Sequence, residues 1–88
     1  MANCFDLRVL TAEGIVLEGK AEYCNLPTDM GSVGILANHA PMLCAVREGK
    51  ARFRMEDGSE RTVVMSPGAA DIRDNTVTIL ADRASIQP

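Results

Sequence analysis

The sequence GSVGILANHAPML at residues 31–43 decides the fold of this chain. It opens with two glycines, Gly31 and Gly34, set among apolar residues, which is typical of a strand whose backbone takes a positive φ or lies close to another chain. Residues 38–41 then interrupt the strand, because the residue before a proline is pushed toward extended geometry and the proline nitrogen donates no hydrogen bond. A new strand starts at Met42. The stretch therefore predicts a strand, a loop and a second strand.

Short apolar runs separated by turn signals continue on both sides of this stretch. Alternation of apolar and polar residues is clearest at residues 50–56, and it indicates half-buried strands. At residues 20–26 the pattern leaves open which face is buried. Further strands are predicted at residues 4–10, 15–17, 42–47, 59–65, 69–73 and 76–81. About eight to ten short strands, with no helical period, predict an all-β fold, an antiparallel β-sandwich or flattened barrel of two sheets.

A hairpin is predicted at residues 57–58, where Asp-Gly separates two strands. A two-residue loop would place Phe53 opposite Thr62. A loop of odd length with a glycine bulge would instead align Ala51 and Phe53 with positions such as Val63, on one apolar face. We favour the odd loop.

Length and composition predict a single globular domain. A chain of 88 residues buries only about 60 to 65% of its unfolded surface, and we place the domain at residues 1–84 and a C-terminal tail at residues 85–88. Its hydrophobic content of 47%, with 24% charged residues, is too high for a disordered chain. The apolar runs are far shorter than the roughly 20 residues that span a bilayer, and residues 1–6 do not resemble a signal or transit peptide.

The charge pattern argues against a nucleic-acid-binding protein. The formal net charge is −3 and the isoelectric point is near 5.0, and no basic stripe is interleaved with aromatic residues.

Catalytic, metal and cofactor sites are not expected from the residues present. His39 is the only imidazole, and nucleophilic catalysis would need a nucleophile and an orienting carboxylate beside it. The segment around Gly31 and Gly34 lacks the Gly-Lys-Ser or Gly-Lys-Thr sequence of a phosphate loop. Three cysteines, Cys4, Cys24 and Cys44, are spaced twenty residues apart without a close pair. They are interpreted as buried reduced thiols and not as a zinc site or disulfide.

A protein contact is the more plausible use of the central loop. Methionines and aliphatic residues beside glycines are typical of a contact patch, here Met30, Val33, Ile35, Leu36 and Met42. The alternative for Val33, Ile35 and Leu36 is that they fill the core, whereas Met30 is expected to be exposed.

These segments, taken in order, resemble the N-terminal β-sandwich domain of the epsilon subunit of the F-type ATP synthase. The glycine-rich segment and the His-Ala-Pro loop carry the resemblance, together with residues 10–14, Gly49, residues 66–68 and residues 77–82. It extends over nearly the whole chain. The resemblance implies two packed antiparallel sheets, in agreement with the strand pattern.

The resemblance also implies a function. Epsilon subunits catalyse nothing; they bind the gamma subunit and the c-ring in the central stalk and couple proton translocation to rotation and ATP synthesis. It implies one copy in a hetero-oligomeric complex, peripheral to the cytoplasmic face of the bacterial inner membrane or the equivalent organelle face, with no cofactor. By position, the c-ring contact would be at Asp29, Met30, Gly31, Ser32 and Val33, and the contact with gamma and the ring at Asn38, His39, Ala40, Pro41 and Met42.

Two residues depart from the family pattern. Ser32 occupies a position that is commonly acidic, so that a neutral hydrogen bond would replace a charged ring contact. Asn38 stands where glycine is frequent, and asparagine tolerates the left-handed region. Many members also continue into a two-helix C-terminal domain that restrains ATP hydrolysis, and the resemblance covers only the β-sandwich that precedes it.

The alternative from another class is a small β-sandwich that binds a ligand or a peptide. Such sites use exposed aromatic residues, but Tyr23, Phe5 and Phe53 all lie within strand patterns and the chain has no tryptophan.

Overall fold

The computed structural model describes residues 3–88, so that residues 1 and 2 of the predicted domain lie outside the described residues. Nine strands, and no helix, are found in this part of the chain. They are β1 (Phe5–Thr11), β2 (Gly14–Thr28), β3 (Gly31–Leu36), β4 (Met42–Val46), β5 (Gly49–Met55), β6 (Glu60–Met65), β7 (Gly68–Arg73), β8 (Thr76–Ala81) and β9 (Ala84–Gln87). The predicted all-β fold is confirmed.

Strand β2 belongs to both sheets of the sandwich. Its first half pairs with β1, in a sheet that continues through β8 and β7 to β4, and its second half pairs with β3 and β5, in a sheet that continues through β6 to β9. All neighbours are antiparallel except β1 and β8, which run parallel. This departs from the expected antiparallel sandwich, and a parallel pair is possible here because a long connection separates the two strands.

Alternate residues of both sheets meet in one hydrophobic core. The largest fully buried side chains include Phe5 and Leu7 of β1, Leu26 of β2 and Phe53 of β5. Each strand turns one face to this core and the other to solvent, as expected for a half-buried strand.

The two strands predicted at residues 15–17 and 20–26 form one strand, because β1 pairs with β2 from Gly14 to Ala21, with a single bulge at Val16. A bulge in the β2–β5 pairing lies between Ala21 and Tyr23, and it turns Cys24, three residues after Ala21, to the same buried face. A bulge adds one residue to one strand and breaks the period of two. For this reason the buried face could not be read from the sequence.

The hairpin between β5 and β6 has the odd loop that we favoured. Ala51 pairs with Val63 and Phe53 with Arg61. Gly58 takes a φ of 86° and donates its N–H to the carbonyl of Met55 at 2.9 Å. The pairing of Phe53 with Thr62, which a two-residue loop would require, does not occur.

Most of the expected tail at residues 85–88 forms a strand. Strand β9 pairs with β6 from Ala84 to Gln87, and Ile86 packs against the core. The N–H of Ser66 donates to the carbonyl of Arg83 at 2.9 Å, and the N–H of Arg83 donates to the Ser66 hydroxyl at 3.0 Å. The tail was predicted from the end of the chain alone, whereas the structure pairs these residues with the edge of β6.

Among residues 3–88, the three cysteines form no disulfide. Cys24 is fully buried, as predicted, and burial raises the pKa of its thiol well above the usual range, whereas Cys4 and Cys44 are half-buried. A buried thiol in apolar surroundings is poorly reactive.

Candidate functional site

The turn between β2 and β3 holds Met30 out in solvent. The hydroxyl of Thr28, a buried residue, donates to the carbonyl of Gly31 at 2.7 Å and accepts the N–H of Met30 at 3.2 Å. Gly31 has a φ of 100°, which disfavours a residue with a side chain. The Met30 side chain is 91% exposed, as the sequence predicted.

The five residues expected at the c-ring do not all offer their side chains to a partner. Asp29 lies 4.0 Å from the guanidinium of Arg47, and both side chains are exposed, so the pair contributes little to stability. Ser32 is exposed, whereas Val33 points inward and packs against the core. The exposed surface of this turn therefore consists of Asp29, Met30, Ser32 and the backbone of Gly31.

The loop after β3 reverses the chain at Asn38. This residue has a φ of 62°. It is the left-handed conformation that asparagine was expected to tolerate at this position. Its N–H donates to the side-chain oxygen of Asn75 at 2.8 Å, and the N–H of His39 donates to the carbonyl of Leu36 at 3.3 Å.

His39 bonds within its own loop. Its Nδ1 lies 2.7 Å from the carbonyl of Ala40, a geometry in which Nδ1–H donates. This bond fixes the imidazole and leaves Ala40 and Pro41 exposed. Met42 is half-buried and packs against the core, while the next residue, Leu43, is 77% exposed.

The two predicted contact segments are not brought together. They lie at opposite ends of β3, whose six residues span about 17 Å at roughly 3.3 Å per residue. The two segments also lie at opposite ends of β7. The first is near its start, because Thr28 pairs with Val46, which pairs with Gly68. The second is near its end, because Asn38 bonds to Asn75 in the turn that follows β7. The segments therefore form two surfaces.

The outer face of the first sheet carries a feature that the sequence analysis missed. One row of outward residues across five strands is entirely apolar, and we call it the apolar row. Its members pair in the order Ala45, Ala69, Leu80, Leu10 and Ile15. Leu80 and Ile15 are 52% and 53% exposed. Large exposed apolar patches on a protein surface commonly mark interaction sites.

The neighbouring rows on the same face are polar, apart from Leu43. In the next row Arg8 forms an ion pair with Glu18 at 3.4 Å, and in the row beyond it Lys20 forms one with Asp6 at 3.1 Å. Leu43 pairs with Asp71 and extends the apolar surface along β4 toward residues 38–42. One sequence signal of the apolar row was available: Leu80 lies on the face of β8 that otherwise carries threonines. The register that aligns Leu80 with the other strands is not visible in the sequence.

No metal site emerges from this geometry. Among residues 3–88, no three His, Cys, Asp or Glu side chains are grouped closely enough to hold a metal ion.

Comparison with known proteins gives a consistent family. Residues 4–87 match the model of the ATP synthase delta/epsilon chain, β-sandwich domain. An ATP synthase epsilon chain of Desulfitobacterium hafniense is 43% identical over 84 residues, which are 96% of this chain and 63% of that protein. An ATP synthase epsilon chain of Delftia acidovorans is 34% identical over 82 residues, 93% of this chain and 59% of that protein. The chain thus spans less than two thirds of the length of these relatives.

Two solved structures have the same fold. A chain in the mitochondrial ATP synthase of Euglena gracilis, in a structure of OSCP, F1 and the c-ring, superposes with a TM-score of 0.89 at 22% identity, over 98% of this chain and 55% of that chain. A chain in the central stalk and c-ring structure of Tetrahymena thermophila mitochondrial ATP synthase gives a TM-score of 0.77 at 15% identity, over 96% and 68% of the two chains.

Proposed function

The chain belongs to the ATP synthase delta/epsilon family, and from this premise we propose that it is the β-sandwich part of a non-catalytic central-stalk subunit. In this role it binds the gamma subunit and the c-ring, and couples proton translocation to rotation and ATP synthesis. The relatives that bear the name epsilon chain support the role. The two solved ATP synthase structures that contain chains of the same fold also support it, because both include the c-ring.

The apolar row is the observation that carries the gamma contact. Interfaces that stay assembled are more apolar than those that form and dissociate, and a stalk subunit must stay attached while the rotor turns. The row offers Leu10, Ile15 and Leu80, and Leu43 continues it toward the loop at residues 38–42. We therefore assign gamma to this face, to the exposed Ala40 and Pro41 of the loop, and to the half-buried His39 beside them.

The c-ring contact is assigned to the turn at residues 29–32. The resemblance implies a contact with polar loops of the ring, and the turn offers the hydroxyl of Ser32, the exposed backbone of Gly31 and the exposed Met30 side chain. Since Ser32 is neutral, its own contact with the ring relies on a hydrogen bond, and the exposed carboxylate of Asp29 is the charge that salt would screen.

The site of action follows from these partners. The chain would lie at the membrane periphery, on the cytoplasmic face of a bacterial inner membrane or the equivalent face of an organelle membrane. No helix in residues 3–88 could span a bilayer.

Calorimetric titration of the chain into its cognate gamma subunit tests the proposal. We expect saturable one-to-one binding, weakened about tenfold or more by Leu80→Glu, because a carboxylate in an apolar interface loses its hydration. Val64→Glu is the matched control: Val64 is 41% exposed on the outer face of the other sheet, and its variant should bind like wild type. Wild-type chain that does not bind a folded gamma subunit would contradict the assignment.

The ring contact needs its own measurement. In binding of the chain to detergent-solubilised c-ring, Met30→Asp should weaken the interaction, and Leu80→Glu should not. Equal loss in both variants would argue against two separate surfaces.

A further inference from the structure

Asn75, in the turn between β7 and β8, connects three segments that are far apart in sequence. Its backbone carbonyl accepts the N–H of Asp6 at 3.1 Å, and its side-chain nitrogen donates to the carbonyl of Cys4 at 2.9 Å. Its side-chain oxygen accepts the N–H of Asn38 at 2.8 Å. One side chain therefore joins the start of β1 to the loop at residues 38–42.

The turn itself explains why this residue can reach both segments. Asp74 and Asn75 have φ values of 52° and 55°, the paired left-handed conformation of a two-residue hairpin turn. Asparagine tolerates this conformation, and its amide offers one acceptor and two donors. Aspartate would keep the acceptor and lose the donor, and glycine would keep the backbone conformation and lose both.

The bond to Asn75 is the main external anchor of the loop. In the part of the chain that the structure describes, it is the one hydrogen bond that ties residues 38–40 to a residue distant in sequence. The others, from His39 to Leu36 and from His39 to Ala40, are local.

We infer that Asn75 is a positioning residue for the partner contact at residues 38–42. It holds the backbone of Asn38 before the partner arrives, so that His39, Ala40 and Pro41 are presented in one arrangement. A loop that is ordered in advance loses less conformational freedom on binding and gains affinity. This inference rests on the proposed contact between the loop and gamma, but Asn75 itself lies outside the predicted contact residues.

The decisive variants are Asn75→Gly and Asn75→Asp. Asn75→Gly retains the positive φ and the carbonyl that accepts from Asp6, and it removes both side-chain hydrogen bonds. Asn75→Asp retains the acceptor for Asn38 but places an oxygen against the carbonyl of Cys4. Ser66→Ala is the matched control, because the Ser66 hydroxyl bonds to the backbone of Arg83 at the opposite end of the sandwich.

Amide hydrogen exchange of the chain without partner measures the positioning directly. In Asn75→Gly we expect the amide of Asn38 to exchange about tenfold faster, with the amides of β3 as slow as in wild type. In Asn75→Asp the Asn38 amide should remain protected. Ser66→Ala should leave the Asn38 amide unchanged.

Titration into the gamma subunit then measures the consequence. Asn75→Gly should weaken binding about fivefold to tenfold, and Ser66→Ala should bind like wild type even if it melts at a lower temperature. The positioning role is overturned if the Asn38 amide exchanges at the wild-type rate in Asn75→Gly, or if Ser66→Ala loses as much affinity as Asn75→Gly. In either case, binding of the wild-type chain to gamma would leave the proposed function intact. Absence of wild-type binding overturns both.

Discussion

Met42 and Leu43 are adjacent in sequence but point to opposite faces of β4. Met42 packs against the core, and Leu43 is exposed beside the apolar row. Met42→Ala should lower the free energy of unfolding by about 1 to 3 kcal/mol, because it removes half-buried apolar contacts. Leu43→Ala should change it by less than about 0.5 kcal/mol. Urea denaturation of both variants measures the difference.

The same pair should rank in the opposite order in gamma binding. Leu43→Ala should weaken binding at unchanged stability, and Met42→Ala should bind normally when folded. If Met42→Ala reduces binding more than Leu43→Ala, the contact surface lies on the other side of β4 from the one we assign.

Gly68 and Gly34 differ in what a methyl group would meet. A Cβ at Gly68 would overlap the backbone carbonyl oxygen of Leu80 in β8, which cannot move without breaking the strand pair. At Gly34 the nearest atom is the Tyr23 hydroxyl oxygen at 3.2 Å, the end of a side chain that can shift.

Gly68→Ala should therefore cost about 1 to 3 kcal/mol of stability, the range for overpacking, and Gly34→Ala should cost less than about 1 kcal/mol. Thermal melts followed by circular dichroism compare the two. Neither glycine has a positive φ, so backbone strain does not confuse the comparison. Equal melting temperatures would show that β7 and β8 can separate locally to admit the methyl group.

Single residues were predictable where the chain pattern alone decides their environment. Met30 was expected to be exposed because a turn with proline, aspartate and glycine surrounds it, and it is. Leu36 was better assigned to the core on its residue type, and only the alternation around the buried Ile35 in the folded strand places it outside. The inward direction of Met42 could not be predicted, since the start of a strand at Met42 does not determine which of its two faces meets the core.

At the scale of elements, the hairpin between β5 and β6 contains a carboxylate whose ionisation is linked to folding. The N–H of Ser59 donates to Asp57 at 2.9 Å, and the hydrogen bonds from Ser59 hold the pKa of Asp57 below its usual value. The bonds therefore stabilise the fold above the unfolded-state pKa of about 3.9. This contribution is lost as the pH falls through the lower pKa of the folded state.

Asp57→Asn should accordingly melt at a lower temperature than wild type at pH 7, and the gap should close toward pH 3. Glu56→Gln, in the same exposed loop, controls for the change in net charge. Melting curves at several pH values, recorded at one ionic strength, give the result. If the difference in melting temperature between wild type and Asp57→Asn stayed constant across this pH range, ionisation of Asp57 would not be linked to folding.

Strand β9 provides the second test at this scale. Ending the chain after Arg83 should lower stability by about 1 to 3 kcal/mol, because the edge pairing to β6 and the packing of Ala84 and Ile86 are lost. Removal of Pro88 alone, an exposed residue beyond the strand, should change stability by less than about 0.5 kcal/mol. Chemical denaturation compares the two truncations. If the deletion of residues 84–88 left stability unchanged, β9 would not belong to the stable domain, in line with the predicted tail at residues 85–88.

Elements were predictable when a local signal defined both their ends. The alternation at residues 50–56 and the Asp-Gly pair together led to the observed register of β5 and β6. Strand β9 lacks such a signal, since its residues alternate weakly and its pairing depends on the distant edge of β6. The length of β2 was also missed, because Glu18 and Gly19 look like a turn unless β1 is known to pair across them.

For the whole molecule, pattern alone predicted two sheets around one core but could not predict which strands are neighbours. The apolar row exists only because Ala45, Ala69, Leu80, Leu10 and Ile15 fall into one register across strands that are remote in sequence. Apart from Leu80 on the threonine face of β8, these residues look ordinary in their own strands. The sequence therefore led to the contact loops, whereas the broad face that we assign to gamma required the fold.

The parallel pairing of β1 and β8 has a consequence for synthesis. Asp6 pairs with Thr76, and Leu10 pairs with Leu80. The first strand therefore cannot complete its pairing until a strand seventy residues further along the chain has been synthesised. At about 5 to 20 residues per second, this delay lasts roughly 4 to 14 seconds on the ribosome. During that time Phe5, Leu7 and Val9, which are buried in the folded chain, lack part of their core, and such transient apolar exposure favours aggregation.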